Sequence, residues 1–127
     1  MTTPPGRILV VDDEASIREI LSRGLARDGF SVETAAQAEP ALLLLRADPG
    51  FDAIILDNNM PGMMGVQALP LIAKLTPAPV LMITGHPTED LERDARLLGA
   101  KGLMVKPLDL RALTEAVLAL AADGRAA

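Results

Sequence analysis

Five short runs rich in branched aliphatics recur along the chain, each followed by a stretch with helical spacing. They are Arg7 to Val11, Phe30 to Thr34, Ala53 to Leu56, Val80 to Ile83 and Leu103 to Val105. Strands alternating with helical segments predict an α/β fold in which helices cover a parallel sheet. The first, third and fourth runs are apolar without alternation, as befits strands buried on both faces, so they take the centre of the sheet.

After the first run, Ile17, Ile20, Leu21, Gly24 and Leu25 fall on one helical stripe with Arg18, Glu19, Arg23 and Arg27 opposite. This predicts an amphipathic helix that Gly29 ends. A second helix is predicted from Pro40 to Ala47, closed by Pro49 and Gly50, and a third from Val66 to Leu75, stopped near Pro77 and Pro79. Pro87, suited to a first helical turn, opens a fourth that runs to Gly99. Asp109 caps a fifth with Leu110, Leu113, Val117 and Leu120 inward. The four consecutive leucines Leu42 to Leu45 cannot all face inward, so one or two are expected at the surface.

The length of 127 residues suits one domain, and with 50% hydrophobic and 23% charged residues the chain lies in the globular range. The expected bounds are a flexible start at 1–6, the domain at 7–122 and a flexible tail at 123–127. The longest apolar run, Ala116 to Ala122, is far short of the roughly 18 residues a membrane span needs, and Met1 to Gly6 is no signal peptide. Cytoplasm is the default location. A net charge of -5 argues against direct nucleic-acid binding, and two Phe without Tyr or Trp provide no stacking platform for bases. The absence of cysteine removes disulfides, thiolate metal sites and cysteine nucleophiles.

The chemistry lies where the strands stop. Asp12 and Asp13 follow the first, Asp57 ends the third, Thr84 ends the fourth and Lys106 ends the fifth. In an open α/β sheet the ligand site lies beyond the carboxyl ends of the strands, so one edge receives all of these groups. Three gathered carboxylates repel unless a cation neutralises them. With oxygen donors alone, a hard ion such as Mg2+ or Mn2+ is favoured over zinc or copper. A carboxylate beside such an ion can attack phosphorus, and Asp57 is the candidate nucleophile. Lys106 and Thr84 offer a cation and a hydroxyl to the phosphoryl oxygens. Gly85 leaves the entry open, and Pro61 and Gly62 set the turn behind Asp57.

Four segments match a known family in order and spacing: Ile8-Leu9-Val10-Val11-Asp12-Asp13-Glu14, Leu56-Asp57-Asn58-Asn59-Met60-Pro61-Gly62-Met63-Met64-Gly65, Thr84-Gly85 and Lys106-Pro107. From Arg7 to about Leu120 the chain resembles the receiver domains of two-component response regulators. The resemblance implies a flavodoxin-like (βα)5 fold with strand order 2-1-3-4-5 and helices on both faces, an order that no residue pattern here supplies. It further implies Asp57 as phosphoacceptor, Asp13 as direct metal ligand, Asp12 as a ligand through water and the Asn59 main-chain carbonyl as another ligand. Thr84 matches the switch hydroxyl and Lys106 the phosphate-pairing lysine, with a cis bond to Pro107. The implied role is a signalling switch that catalyses its own phosphorylation and dephosphorylation and is not a conventional enzyme. Implied partners are a histidine kinase or phosphotransfer protein and a downstream protein. A phosphorylation-dependent dimer through the fourth helix, fifth strand and fifth helix is a further form the family takes.

Two positions depart from the pattern. Leu103 stands where many receivers carry an aromatic ring that follows the threonine, so the signal is expected to pass through the loop after the fourth strand. His86, two after Thr84, is at a position that tunes water access, although an exposed loop residue is the plainer reading. Met60, Met63, Met64, Met82 and Met104 read as loop and core packing. The acidic pair Asp12-Asp13 taken alone would be only a helix-start feature. Competing functions are a haloacid-dehalogenase-like phosphatase, whose usual second Asp is Asn59 here, and a phosphorylation-independent docking module, which would lack a site residue.

Overall fold

In the computed structural model, residues 6–126 are described, with side chains over 6–122. The elements are β1 (Arg7–Val11), α1 (Ala15–Arg27), β2 (Ser31–Ala35), α2 (Ala38–Ala47), β3 (Ala53–Asp57), α3 (Gly65–Leu75), β4 (Val80–Thr84), α4 (Glu89–Leu97), β5 (Gly102–Val105) and α5 (Leu110–Ala126). The strands form one parallel sheet in the order β2-β1-β3-β4-β5. The expected flexible ends, 1–6 and 123–127, lie outside the described side chains apart from Gly6, and the α5 backbone is helical to Ala126.

Successive strand residues point to opposite faces, and the two cores follow that alternation. Ile8, Val10, Ile55, Leu81 and Ile83 pack with Leu21 and Leu25 of α1 and Leu113 and Val117 of α5. Leu9, Val11, Ile54, Leu56 and Met82 pack with Leu42, Leu45, Leu69, Ile72 and Ala95 of α2, α3 and α4. Residues of β1, β3 and β4 are thus buried from both sides, which is why their sequences do not alternate. The strand order reverses between β1 and β3, so the carboxyl ends of these neighbours open a crevice.

Several boundaries differ from expectation. The second strand starts at Ser31, one residue late, because the buried Phe30 closes the end of α1 through its N–H to the Leu25 carbonyl. The fourth helix begins at Glu89 rather than Pro87, because Thr88 is its cap: the Thr88 hydroxyl oxygen accepts the Leu91 N–H at 3.0 Å. The second helix starts at Ala38, which places Pro40 in its first turn where an N–H has no helical partner. On α1 the predicted stripe is narrower than expected: Leu21, Gly24 and Leu25 are buried, whereas Ile20 is 53% exposed on its flank. Leu110 and Leu120 are half-buried, flanking the buried Leu113 and Val117. Asp109 caps α5 as expected, accepting the N–H groups of Arg111 and Ala112. Leu43 is the leucine of the second helix that faces solvent.

Candidate functional site

Strand register brings the predicted residues to one edge. Val11 pairs with Leu56 and Asp57 with Ile83, while the Lys106 N–H donates to the Thr84 carbonyl at 2.8 Å. Asp12 is held just past β1 by its own N–H on Ala35 and by Arg18, whose guanidinium donates to the Asp12 carbonyl. Behind Asp57, the Asn58 side-chain oxygen accepts the Val66 N–H at 2.9 Å and its carbonyl accepts that of Gly65. Gly62 turns this loop with φ +81°. Gly65 lies so close beneath it that a Cβ would stand 2.5 Å from the Asp57 carbonyl oxygen. These contacts fix the backbone that carries Asp57.

Asp12 and Asp57 are completely buried and Asp13 is exposed at the rim, yet each offers an oxygen within 4.8 Å of the others'. Such proximity has a cost. Burial, with the charge of Asp12 adding to it, pushes the Asp57 carboxyl from 3.8 up to about 6. Among the described residues its Oδ2 is buried without a hydrogen-bond partner, and Asp12 Oδ2 lacks an aligned one although Lys106 Nζ lies 3.0 Å away. One orphaned buried oxygen, a second met only by Lys106, and a third carboxylate beside them fit a hard divalent cation.

Lys106 reaches into this set from just past the end of β5. Its Nζ lies 3.0 Å from Asp12 Oδ2, 3.0 Å from Glu14 Oε1 and 3.5 Å from Asp57 Oδ1. Burial works against its charge, but Glu14 and Asp12 hold the ammonium above its ordinary range. Thr84 is fully buried; its hydroxyl donates to Asn59 Oδ1 at 2.8 Å and accepts the His86 N–H at 3.1 Å. The Asn59 N–H makes a long contact, 3.4 Å, to Asp57 Oδ1. The predicted groups therefore converge, with Thr84 engaged by Asn59 rather than by Asp57. The cis Lys106–Pro107 bond is present. The His86 side chain is exposed, and Leu103 is half-buried against the core beneath α4.

Residues 8–118 match the family described as the response regulator receiver domain. The chain belongs to that family. This receiver is 39% identical over 112 residues to response regulator protein FleR of Pseudomonas aeruginosa, covering 87% of this chain and 24% of FleR. It thus spans about a quarter of that relative's length. Against chemotaxis protein CheY of Treponema pallidum it is 35% identical over 116 residues, 89% of this chain and 81% of that protein. The crystal structure of a CheX–CheY–BeF3–Mg2+ complex from Borrelia burgdorferi matches with a TM-score of 0.84 at 32% identity, over 90% of this chain and 87% of that one. Receiver domains are signalling switches of two-component systems, and the pocket of Asp12, Asp13 and Asp57 fits a Mg2+ and phosphoaspartate site. The phosphatase and docking-module alternatives find no support in this match. No helix among the described residues is long and apolar enough to cross a membrane.

Sequence reasoning assigned no part to Glu14, to the Asn59 side chain or to Gly65. For Glu14 the signal was its place directly after the acidic pair; for Gly65 it was a small residue at a helix start next to the Asp57 loop.

Proposed function

We propose that this receiver accepts a phosphoryl group on Asp57 from a histidine kinase phosphohistidine or a phosphotransfer protein, and that the modified domain changes its contacts with a downstream protein in the cytoplasm. The observation that carries this reading is the Asp57 carboxylate: completely buried at a strand end, with one oxygen unpartnered, two carboxylates beside it and Lys106 Nζ at 3.5 Å. Asp12, Asp13, Asp57 and the Asn59 main-chain carbonyl are the groups that would hold Mg2+ or Mn2+. When bound, the ion supplies neutralisation of the clustered negative charge.

An Asp57 oxygen attacks phosphorus while the bond from phosphorus to the donor imidazole nitrogen breaks, its electron pair leaving with the imidazole. Lys106 Nζ pairs with one phosphoryl oxygen. The Thr84 hydroxyl, on leaving Asn59 Oδ1, donates to another. In-line attack by water later releases inorganic phosphate and restores the carboxylate, so this domain catalyses both halves of its own cycle. Leu103 gives no ring to follow Thr84, and the signal leaves through the 85–88 loop, which is tied to Thr84 by the His86 N–H. The face of α4, β5 and α5 carries the exposed Leu97 and Val105, which supports its use for a partner or a phosphorylation-dependent dimer.

The test is intact mass after incubation with Mg2+ and acetyl phosphate. A single added phosphoryl group, lost in Asp57→Ala, is expected. An unchanged mass, or rapid release of phosphate from generic esters without a modified protein, would overturn the assignment.

A further inference from the structure

Lys106 is divided among three carboxylates, and its partner Glu14 comes from the start of α1, outside the residues to which the phosphoryl chemistry was assigned. Glu14 occupies the N-cap position of that helix, where a short polar side chain would ordinarily close the first turn. Its side chain makes no capping hydrogen bond. It reaches instead to Lys106, which donates to Glu14 Oε1 at 3.0 Å across 92 positions of sequence. The backbone leaves it little choice of direction: the Glu14 N–H donates to Asp12 Oδ1 at 2.8 Å, and its carbonyl accepts the N–H groups of Ile17 and Arg18.

The ammonium has an aligned bond to Glu14, lies equally close, 3.0 Å, to Asp12 Oδ2, and makes a longer approach, 3.5 Å, to Asp57. A phosphoryl oxygen arriving on Asp57 competes with Glu14 and Asp12 for the three N–H donors of Lys106. We propose that Glu14 is a positioning residue: in the resting domain it holds Lys106 at arm's length from a close bond to Asp57, and it yields the lysine to an anionic group bound there. The proposal rests on the assignment of Asp57 as phosphoacceptor and adds a competitor for its lysine. Glu14 is about half exposed, with 56% of its side chain accessible, so the pair is partly screened and its strength is that of a surface ion pair. That sets the expected effect at about two- to five-fold.

The test is the affinity of the full chain for beryllofluoride with Mg2+, measured by calorimetry, in a cycle of Glu14→Gln, Lys106→Ala and the double variant. Glu14→Gln should tighten binding by about two- to five-fold, and the gain should vanish when Lys106 is already Ala. Glu14→Asp keeps the charge but shortens the arm, and it should behave like Glu14→Gln. A metal-free readout accompanies this: the Lys106 ammonium resonance should shift in Glu14→Gln without any added ligand. Wild-type affinity in Glu14→Gln overturns the proposal. So does a gain that persists without Lys106, or a wild-type result for Glu14→Asp, since either would mean simple repulsion through space. Intact-mass phosphorylation of the same proteins separates the two readings: wild type phosphorylated on Asp57 but with a null cycle removes only the role of Glu14, whereas no phosphorylation removes both.

Discussion

At the amino end of β1, Arg7 joins acids from β2 and the segment after α2; just past the carboxyl end, five residues and about 17 Å away, Asp12 joins acids and a lysine from three other segments. In the Arg7 cluster every charge is answered. The guanidinium pairs with Glu33 and with Asp48 at 2.8 Å, bonds the Gly50 carbonyl, and lies 4.4 Å over the Phe51 ring. The Gly50 N–H and Arg7 hold the Asp48 carboxyl below its ordinary range. In the Asp12 cluster the balance is reversed. Asp57 is buried, pushed up to about 6, and keeps an oxygen without a partner. The same residue types thus serve two ends: satisfied and solvated, they fasten the sheet; buried and under-satisfied, they hold an affinity that an incoming cation and phosphoryl group can relieve.

Removing the starved carboxylate should produce the largest change in stability. The Asp57 pKa is raised in the folded protein, so between pH 4 and 6 the folded state keeps a proton that the unfolded chain has lost. Stability from this group is therefore full below about pH 4 and is lost as pH rises through about 6. The shift from 3.8 to about 6 corresponds to at most about 3 kcal/mol. Metal-free Asp57→Asn should melt higher than wild type above pH 6, with the gap closing towards pH 4, in thermal scans followed by far-UV circular dichroism. Added Mg2+ should stabilise wild type and leave Asp57→Asn nearly unmoved. Identical pH profiles for the two proteins would break the contrast between the ends of β1.

A smaller effect, and of opposite sign, is expected from the support beneath that carboxylate. Gly65→Ala places a methyl group 2.5 Å from the Asp57 carbonyl oxygen and 2.9 Å from Asn58 Cα, both backbone atoms that cannot swing aside. Overpacking of this kind costs about 1–3 kcal/mol. Because the displaced backbone carries Asp57, acetyl phosphate labelling should slow as well. Urea denaturation and intact mass measure the two effects, and a destabilised protein that labels at the wild-type rate would detach the loop from the chemistry.

The sequence made the central strands and their ends legible because burial on both faces of β1, β3 and β4 writes itself as unbroken apolar runs, and Asp12, Asp57 and Thr84 are the polar residues that stop them. Helix starts were less legible. Pro87 advertises a first turn, but the Thr88 hydroxyl takes the cap two residues later than the proline suggests. Ile20 belongs to the apolar stripe by spacing and is nevertheless exposed, since periodicity gives a direction without saying how far the neighbouring layer extends. Which polar groups share the site followed from register, but their pairing did not. Glu14 to Lys106 and Thr84 to Asn59 are contacts between side chains far apart in sequence, and only the folded crevice sets their distances.

The smallest expected effect lies at the other end of β1. Arg7 is one-third exposed, and its acids can return to water when it is removed, so Arg7→Ala loses two ion pairs of surface strength and a cation–π contact. About 1 kcal/mol is the expected loss, and half a molar of salt should shrink the difference from wild type because exposed pairs are screened. Acetyl phosphate labelling of Asp57 should keep its wild-type rate, since the sheet between the two clusters is held by strand pairing and two apolar cores rather than by charge. A slowed label in Arg7→Ala, at a temperature where the variant is still folded by circular dichroism, would mean that the two ends of β1 are coupled and that the division between a fastening cluster and a reactive one does not hold.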